Sequence, residues 1–281
     1  MISTSKQLKD KVRNVSKSDN NIAQAMIRTF IMERFLERVS ISKYRDHFIL
    51  KGGLLVSSFV GINLRSTMDI DTTVKALPLN EKDAREIVQN IMDVAIDDGV
   101  CFQITSCRKI MPDFDYPGIR LMIEARLDKL RQIIKIDIST DDVITPRAIE
   151  YQYKLMFEDR WISIMTYNLE TLLAEKLQTV LIRDIANTRM RDFYDIYYLS
   201  KEKEEQLQQG NLIHKAFVAT CEKRGKVFTK EESTIICKRI LHDSAMEEGW
   251  DAFRLDNYFV GELEWSTVMN QVCKVFDRFI K

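Results

Sequence analysis

The stretch "RSTMDID", residues 65–71, sets Asp69 and Asp71 one residue apart, downstream of Arg65 and two hydroxyls, one of them Thr67. In a strand, "MDIDTTV" alternates its side chains, so both carboxylates share one face while Met68 and Ile70 take the other. Like charges at that spacing repel unless water or a cation screens them. Magnesium suits such a pair, because it takes hard oxygens and usually one or two carboxylates beside substrate phosphates. D-x-D alone also describes a wetted strand face, so the chemistry needs a third group.

Asp137 is the candidate. In "RQIIKIDIST", Ile134, Ile136 and Ile138 alternate with Lys135, Asp137 and Ser139, which places Asp137 on the polar face of a well-defined strand. Standing alone, that strand would be a solvated edge. Beside the first pair it supplies the third acid of a site in which two cations clamp the attacking and leaving oxygens of a phosphoryl transfer.

Three further stretches are candidates of the same kind. In "LKGG", Gly52 and Gly53 open an apparent helix, where glycine permits close backbone approach and free amides receive phosphate; a plain tight connection fits equally. In "LETLLAEKLQTVLIRD", Leu169, Leu172, Leu173, Leu177, Val180 and Leu181 form one apolar stripe. Lys176 falls in its middle and Arg183 at its edge. Lys176 either snorkels to water or meets an anion in a cleft. In "RMRDFYDIYYL", Asp192 borders the buried side and Asp195 points further away; the plainer alternative is an exposed Arg–Asp cluster of little energetic weight.

The elements that must position these groups follow from periodicity. Residues 4–15 and 20–38 carry helical spacing, the second with a broad apolar stripe that reads as buried. "FILKGGLLVSSFVG" predicts a short strand and then a helix, and "NEKDAREIVQNIMDVAIDD" a helix with an asparagine start. "CFQITSCRKI", "GIRLMIEARLD" and "RQIIKIDIST" predict three strands parted by turn signals. From about Leu169 the period stays near 3.6, with long helices expected over 204–223 and 264–280. The expected fold is α+β: a mixed sheet flanked by helices over residues 1–160, then a helical bundle over 161–281 that completes the cleft.

Composition excludes rather than selects. Lys plus Arg and Asp plus Glu number 42 each, so net charge argues for neither nucleic acid nor membrane, although "HKAFVATCEKRGKVFTK" reads equally as a local basic patch or as a solvated helix end and loop. Five cysteines without a C-x-x-C pair, and three histidines, give no zinc pattern and fit free thiols in a reducing compartment. The polar first residues are unlike a secretory signal, and the longest apolar run is too short to span a bilayer. The expectation is a cytoplasmic protein with no membrane partner.

Together, "LKGGLL…LRSTMDID", "IKIDIS" and "LETLLAEKLQTVLIRD…RMRDFYDIYYL" resemble the AbiEii/AbiGii toxins, nucleotidyltransferase-like proteins of type IV toxin–antitoxin and abortive-infection systems. The glycine pair and D-x-D are shared with the wider DNA-polymerase-β-like superfamily; the later two motifs are more particular to the toxins. The resemblance covers roughly residues 48–200. Two departures stand out: Leu54 follows the glycine pair where the family carries Ser or Thr, and fifteen residues part Gly53 from Asp69.

The resemblance implies roles. Asp69, Asp71 and Asp137 would bind Mg2+, with Mn2+ as an alternative cation, and Asp137 would help activate the acceptor hydroxyl. Gly52 and Gly53 would approach the phosphates of a nucleoside triphosphate, with Arg65 and Thr67 matching the segment before the first acid. Lys176 would neutralise the triphosphate, and Asp192, then Asp195, would belong to the last motif, with Arg183 a further nucleotide contact. The implied reaction moves a nucleoside monophosphate from GTP or a pyrimidine triphosphate to RNA, with a tRNA 3′ end as expected acceptor. It would block translation and growth, and a cognate antitoxin would counteract it with or without direct binding. Transfer onto a protein side chain, or nucleotide binding without turnover, are the alternatives.

Overall fold

The structure, a computed structural model, describes residues 1–61, 64–77, 80–110, 118–207 and 211–280. Two helices open the chain, α1 (Ser5–Ser16) and α2 (Asn20–Ile41). Thr4 starts the first through a capping box with Gln7, and the Asp19 side chain starts the second by accepting the amides of Asn21 and Ile22. Each cap satisfies amides that the first helical turn leaves without partners. β1 (Phe48–Lys51) runs straight into α3 (Gly52–Val60), followed by β2 (Asp69–Val74) and by α4 (Glu81–Met92), which Asn80 caps.

The remaining strands are β3 (Val100–Ile110), β4 (Gly118–Leu127), β5 (Leu130–Thr140), β6 (Ile149–Lys154) and β7 (Trp161–Thr166). One seven-stranded mixed sheet results, in the order β3-β4-β5-β2-β1-β7-β6. Neighbours run antiparallel except β2 with β5 and β1 with β7. Alternation sorts its faces: Ile70, Leu121, Ile123, Ile134, Ile136 and Ile138 are buried, whereas Asp69, Asp71, Arg120, Lys135 and Asp137 are half-buried. Helices α2 and α4 cover part of the sheet.

The chain divides into two compact units, Met1–Asp142 with Ile149–Thr166, and Val143–Ala148 with Tyr167–Lys281. Trp161–Thr166 pairs with β1 and β6 and so lies in the sheet unit. The second unit consists of α5 (Leu169–Arg183), a 3-10 turn over Asp184–Ala186, α6 (Met190–Glu202), α7 (Glu204–Leu207), α8 (Leu212–Lys223), α9 (Lys230–Leu241), α10 (Ser244–Asp256) and α11 (Trp265–Phe279). The single helix expected over 204–223 is instead α7 and α8; residues 208–210 lie outside the described residues, and Asn211 is in a turn. Phe193, Tyr194, Phe217, Trp250 and Phe276 fill the helical core. Trp250 Nε1 donates to the Leu263 carbonyl at 2.8 Å and Tyr194 to that of Phe259 at 3.1 Å, so both aromatic polar tips are satisfied. Among the described residues no helix is long and apolar enough to cross a membrane.

The stripe of α2 is buried, yet it carries Glu33, Arg34, Glu37 and Arg38 into the interior. Burying such charges requires partners. Arg38 forks onto Asp98 at 2.7 and 2.9 Å and donates to the Val100 carbonyl at 3.1 Å, tying α2 to the start of β3. Glu33 accepts the Met156 amide at 3.1 Å through both oxygens and lies 3.4 Å from the Tyr153 hydroxyl. Burial outweighs these bonds and pushes its carboxyl up to about 8. Because the folded pKa exceeds the unfolded one, the associated stability is present at low pH and is lost as pH rises from about 4.5 to about 8. Glu33→Gln is expected to flatten this loss, at most ~3–5 kcal/mol by linkage, and to melt above wild type at pH 9. Parallel pH–melting curves for the two proteins would refute this.

Candidate active site

Strand register assembles the polar face. Asp71 stands opposite Asp137 on the parallel neighbour β5, and opposite Lys51 on the antiparallel neighbour β1. Asp137 in turn stands opposite Arg120 on β4. One cross-strand row therefore reads Arg120, Asp137, Asp71, Lys51, a pair of acids flanked by a cation on each side. In the adjoining row Asp69 stands opposite Lys135. A one-residue slip in either ladder would send these side chains into the apolar face, so the isoleucines that fix the register also fix the site.

Each acid has a cationic neighbour. Arg120 grips Asp137 through two parallel bonds, Nε to Oδ1 at 2.8 Å and Nη2 to Oδ2 at 2.7 Å. Lys135 Nζ lies 2.7 Å from Asp69 Oδ2. Lys51 pairs with Asp142, which also lies 2.7 Å from the Ser139 hydroxyl, and it attracts Asp71 electrostatically. Asp71 is nonetheless harder to ionise than an ordinary aspartate. Burial raises its pKa most, Asp69 and Asp137 add repulsion, and Lys51 with the Gly53 amide works in the other direction.

The glycine pair acts first on these side chains. Gly52 has φ +66°, and a Cβ there would stand 2.1 Å from Asp71 Oδ2. Only a residue without a side chain lets the carboxylate occupy that space. A Cβ on Gly53 would stand 2.7 Å from Thr67 Oγ1 and 2.9 Å from Arg65 Nη2. Arg65 and Thr67 are thus buried against the start of α3, and Ser57 Oγ donates to the Arg65 carbonyl at 2.6 Å. Leu54, where a hydroxyl would be expected, is fully buried core.

In the helical unit Lys176 does not reach for water. It is buried, with Nζ 3.1 Å from Asp192 Oδ1 and 2.6 Å from Asp195 Oδ2. Asp195, expected to point away, is fully buried and makes the shorter bond. The Arg–Asp cluster is therefore internal, because α5 and α6 pack with these side chains between them. Arg189 joins it, with Nε 2.8 Å from Asp192 Oδ2. Arg183 is exposed. In the stretch that suggested a basic patch, Arg224 bonds Gln178 at 2.7 Å and lies 3.2 Å from Glu175, while Lys215, Lys223, Lys226 and Lys230 are exposed.

Sequence reasoning missed Arg120, Lys51 and Asp142, and gave Lys135 no role. The alternation of "GIRLMIEARL" does put Arg120 on a polar face, but only strand order sets it beside Asp137. As donors, three carboxylates on two hydrogen-bonded strands suit a hard divalent cation. As the side chains stand, no three acidic, histidine or cysteine groups among the described residues converge to hold an ion. Two of the three acids have their oxygens on Arg120 and Lys135.

The sequence model described as "Nucleotidyl transferase AbiEii toxin, Type IV TA system" matches residues 34–271. No curated protein matches the chain. Among solved structures, JHP933 from Helicobacter pylori is similar at 14% identity and a TM-score of 0.47, covering 90% of each chain. A candidate nucleotidyltransferase from H. pylori is similar at 15% identity and a TM-score of 0.49, over 90% of this chain and 93% of that one. An antigenic nucleotidyltransferase-like protein from Paracoccidioides brasiliensis follows at 14% identity and 0.40, over 79% and 90%.

Proposed function

Because the chain belongs to the AbiEii nucleotidyl transferase toxin family of type IV toxin–antitoxin systems, we propose that it transfers a nucleoside monophosphate from a nucleoside triphosphate to the hydroxyl of an RNA acceptor, a tRNA 3′ end. GTP or a pyrimidine triphosphate is the donor, Mg2+ the cation, and arrest of translation during phage infection the outcome, with a cognate antitoxin as the counterpart. The observation that supports it most is the row of Asp71 and Asp137 in register on paired strands, with Asp69 one step along the same face.

Asp69, Asp71 and Asp137 would hold the divalent ions, which when bound neutralise charge on the attacking and leaving oxygens. The chain itself contributes placement. Gly52 leaves room for the Asp71 carboxylate, and the Gly53 amide holds it there. Rigid strands fix the spacing of the acids, which is most of what a phosphoryl-transfer site needs from its protein. Asp137 would help activate the acceptor hydroxyl by accepting its proton. Lys215, Lys223, Lys226 and Lys230 offer exposed charge for an RNA backbone, a contact that added salt would weaken.

The test incubates the full chain with each of four α-labelled triphosphates, total RNA and Mg2+, with and without chelator. Label in RNA that the chelator abolishes supports the proposal. Label in a protein band would redirect it to a side-chain acceptor. Bound triphosphate without pyrophosphate release would reduce the chain to a nucleotide-binding module.

A further inference from the structure

We propose that Arg120 is a built-in competitor of the metal: in the metal-free protein its guanidinium occupies Asp137, and cation binding requires that it let go. This rests on the reading of Asp69, Asp71 and Asp137 as the cation ligands, and it concerns how that site is regulated.

Arg120 and Asp137 face each other in the β4–β5 ladder, and the guanidinium takes both carboxylate oxygens at 2.7 and 2.8 Å. A fork-to-carboxylate pair is the strongest arrangement available to an arginine, and it uses the same in-plane lone pairs that a hard cation would use. The pair is not deeply buried: the side chains retain 27% and 17% of their exposure. Arg120 therefore has solvent to move into, and an incoming ion has a route to Asp137. The guanidinium is also drawn by Asp69 and Asp71 beyond its own partner, so it balances the charge of the whole acid set. Without it, burial and mutual repulsion would act on the acids against Lys51, Lys135 and the Gly53 amide alone among the described groups that oppose them.

Two roles for Arg120 make opposite predictions. A residue that merely orients Asp137 for the metal should, when removed, weaken metal binding. A competitor should, when removed, strengthen it, while the metal-free protein becomes less stable because the acids lose their counter-ion. Lys135 on Asp69 is the second such pair, but a single ammonium is a point charge on a flexible stem and yields more readily than a fork.

The experiment titrates Mn2+ into the full chain without nucleotide, following free Mn2+ by electron paramagnetic resonance, for wild type, Arg120→Gln, Arg120→Lys and Asp137→Asn. Arg120→Gln is expected to bind Mn2+ about three- to tenfold more tightly, the fold-change equivalent of one net intramolecular hydrogen bond. Its melting temperature in chelator should fall below wild type and recover when Mn2+ is added. Arg120→Lys, which keeps the charge and loses the fork, should lie between the two and covers the case in which Arg120→Gln does not fold. Weaker or unchanged Mn2+ binding in both arginine variants overturns the inference while leaving the metal site intact. Wild type that binds no Mn2+, or Asp137→Asn that binds it as wild type does, overturns the metal assignment itself.

Discussion

Asp71→Asn is expected to lower nucleotidyl transfer by about 10³-fold or more while raising the melting temperature of the chain in chelator. The two effects have one cause. Asp71 is pressed between burial, Asp69 and Asp137, and all three disfavour its charge. Asparagine has nearly the same shape, still offers an oxygen to the Gly53 amide, and removes the repulsion. Relief of ~1 kcal/mol would appear as roughly 2–4 °C. Transfer, in contrast, needs the full negative charge to hold a cation against a triphosphate. Label incorporation and thermal melting on the same preparation check both halves. A variant that melts lower, or that keeps a tenth of the activity, would show that Asp71 is a structural residue.

How much of this was legible depended on whether a feature is set along the chain or across it. The alternation of Ile134, Ile136 and Ile138 against Lys135 and Asp137 is a property of one strand, and β5 carries it on the expected faces. The same holds for Asp69 and Asp71 on β2, and for the helix after Gly52. What could not be read is the order of strands. Arg120 lies seventeen positions from Asp137 in the chain, on the preceding strand of a hairpin. Nothing in "GIRLMIEARL" says which neighbour its arginine will face. Strands β6 and β7 went unread for a different reason. "WISIMT" buries Ile162 and Ile164 but is only six residues long, and it directly precedes a helix whose period dominates the window. Asp195 was placed outward from helical angle alone, whereas a buried lysine on α5 draws it inward. The glycine pair reads as a phosphate approach or a plain tight connection; the side chains of Asp71, Thr67 and Arg65 that crowd it come from elsewhere in the chain and are not signalled by "LKGG". Elsewhere the structure kept the residues and changed what they touch.

Lys176→Met should cost the helical unit about 3–5 kcal/mol, because breaking a buried ion pair leaves charge without compensation. Lys176 is the partner of Asp195 at 2.6 Å and of Asp192 at 3.1 Å, and both carboxylates are buried. Asp195 makes the shorter of the two contacts and is fully buried, so the larger share of the cost falls there. Lys176→Met/Asp195→Asn should therefore recover more than half of the lost stability, an interaction energy that denaturant melts of the two single variants and the double variant would measure directly. Additive single effects would show that the 2.6 Å contact carries no net coupling. The double variant also separates two roles for the lysine. If Lys176 only cements α5 to α6, restoring stability restores nucleotidyl transfer as well. If its charge is also needed by a triphosphate, the refolded double variant stays inactive, since neither methionine nor asparagine supplies a cation.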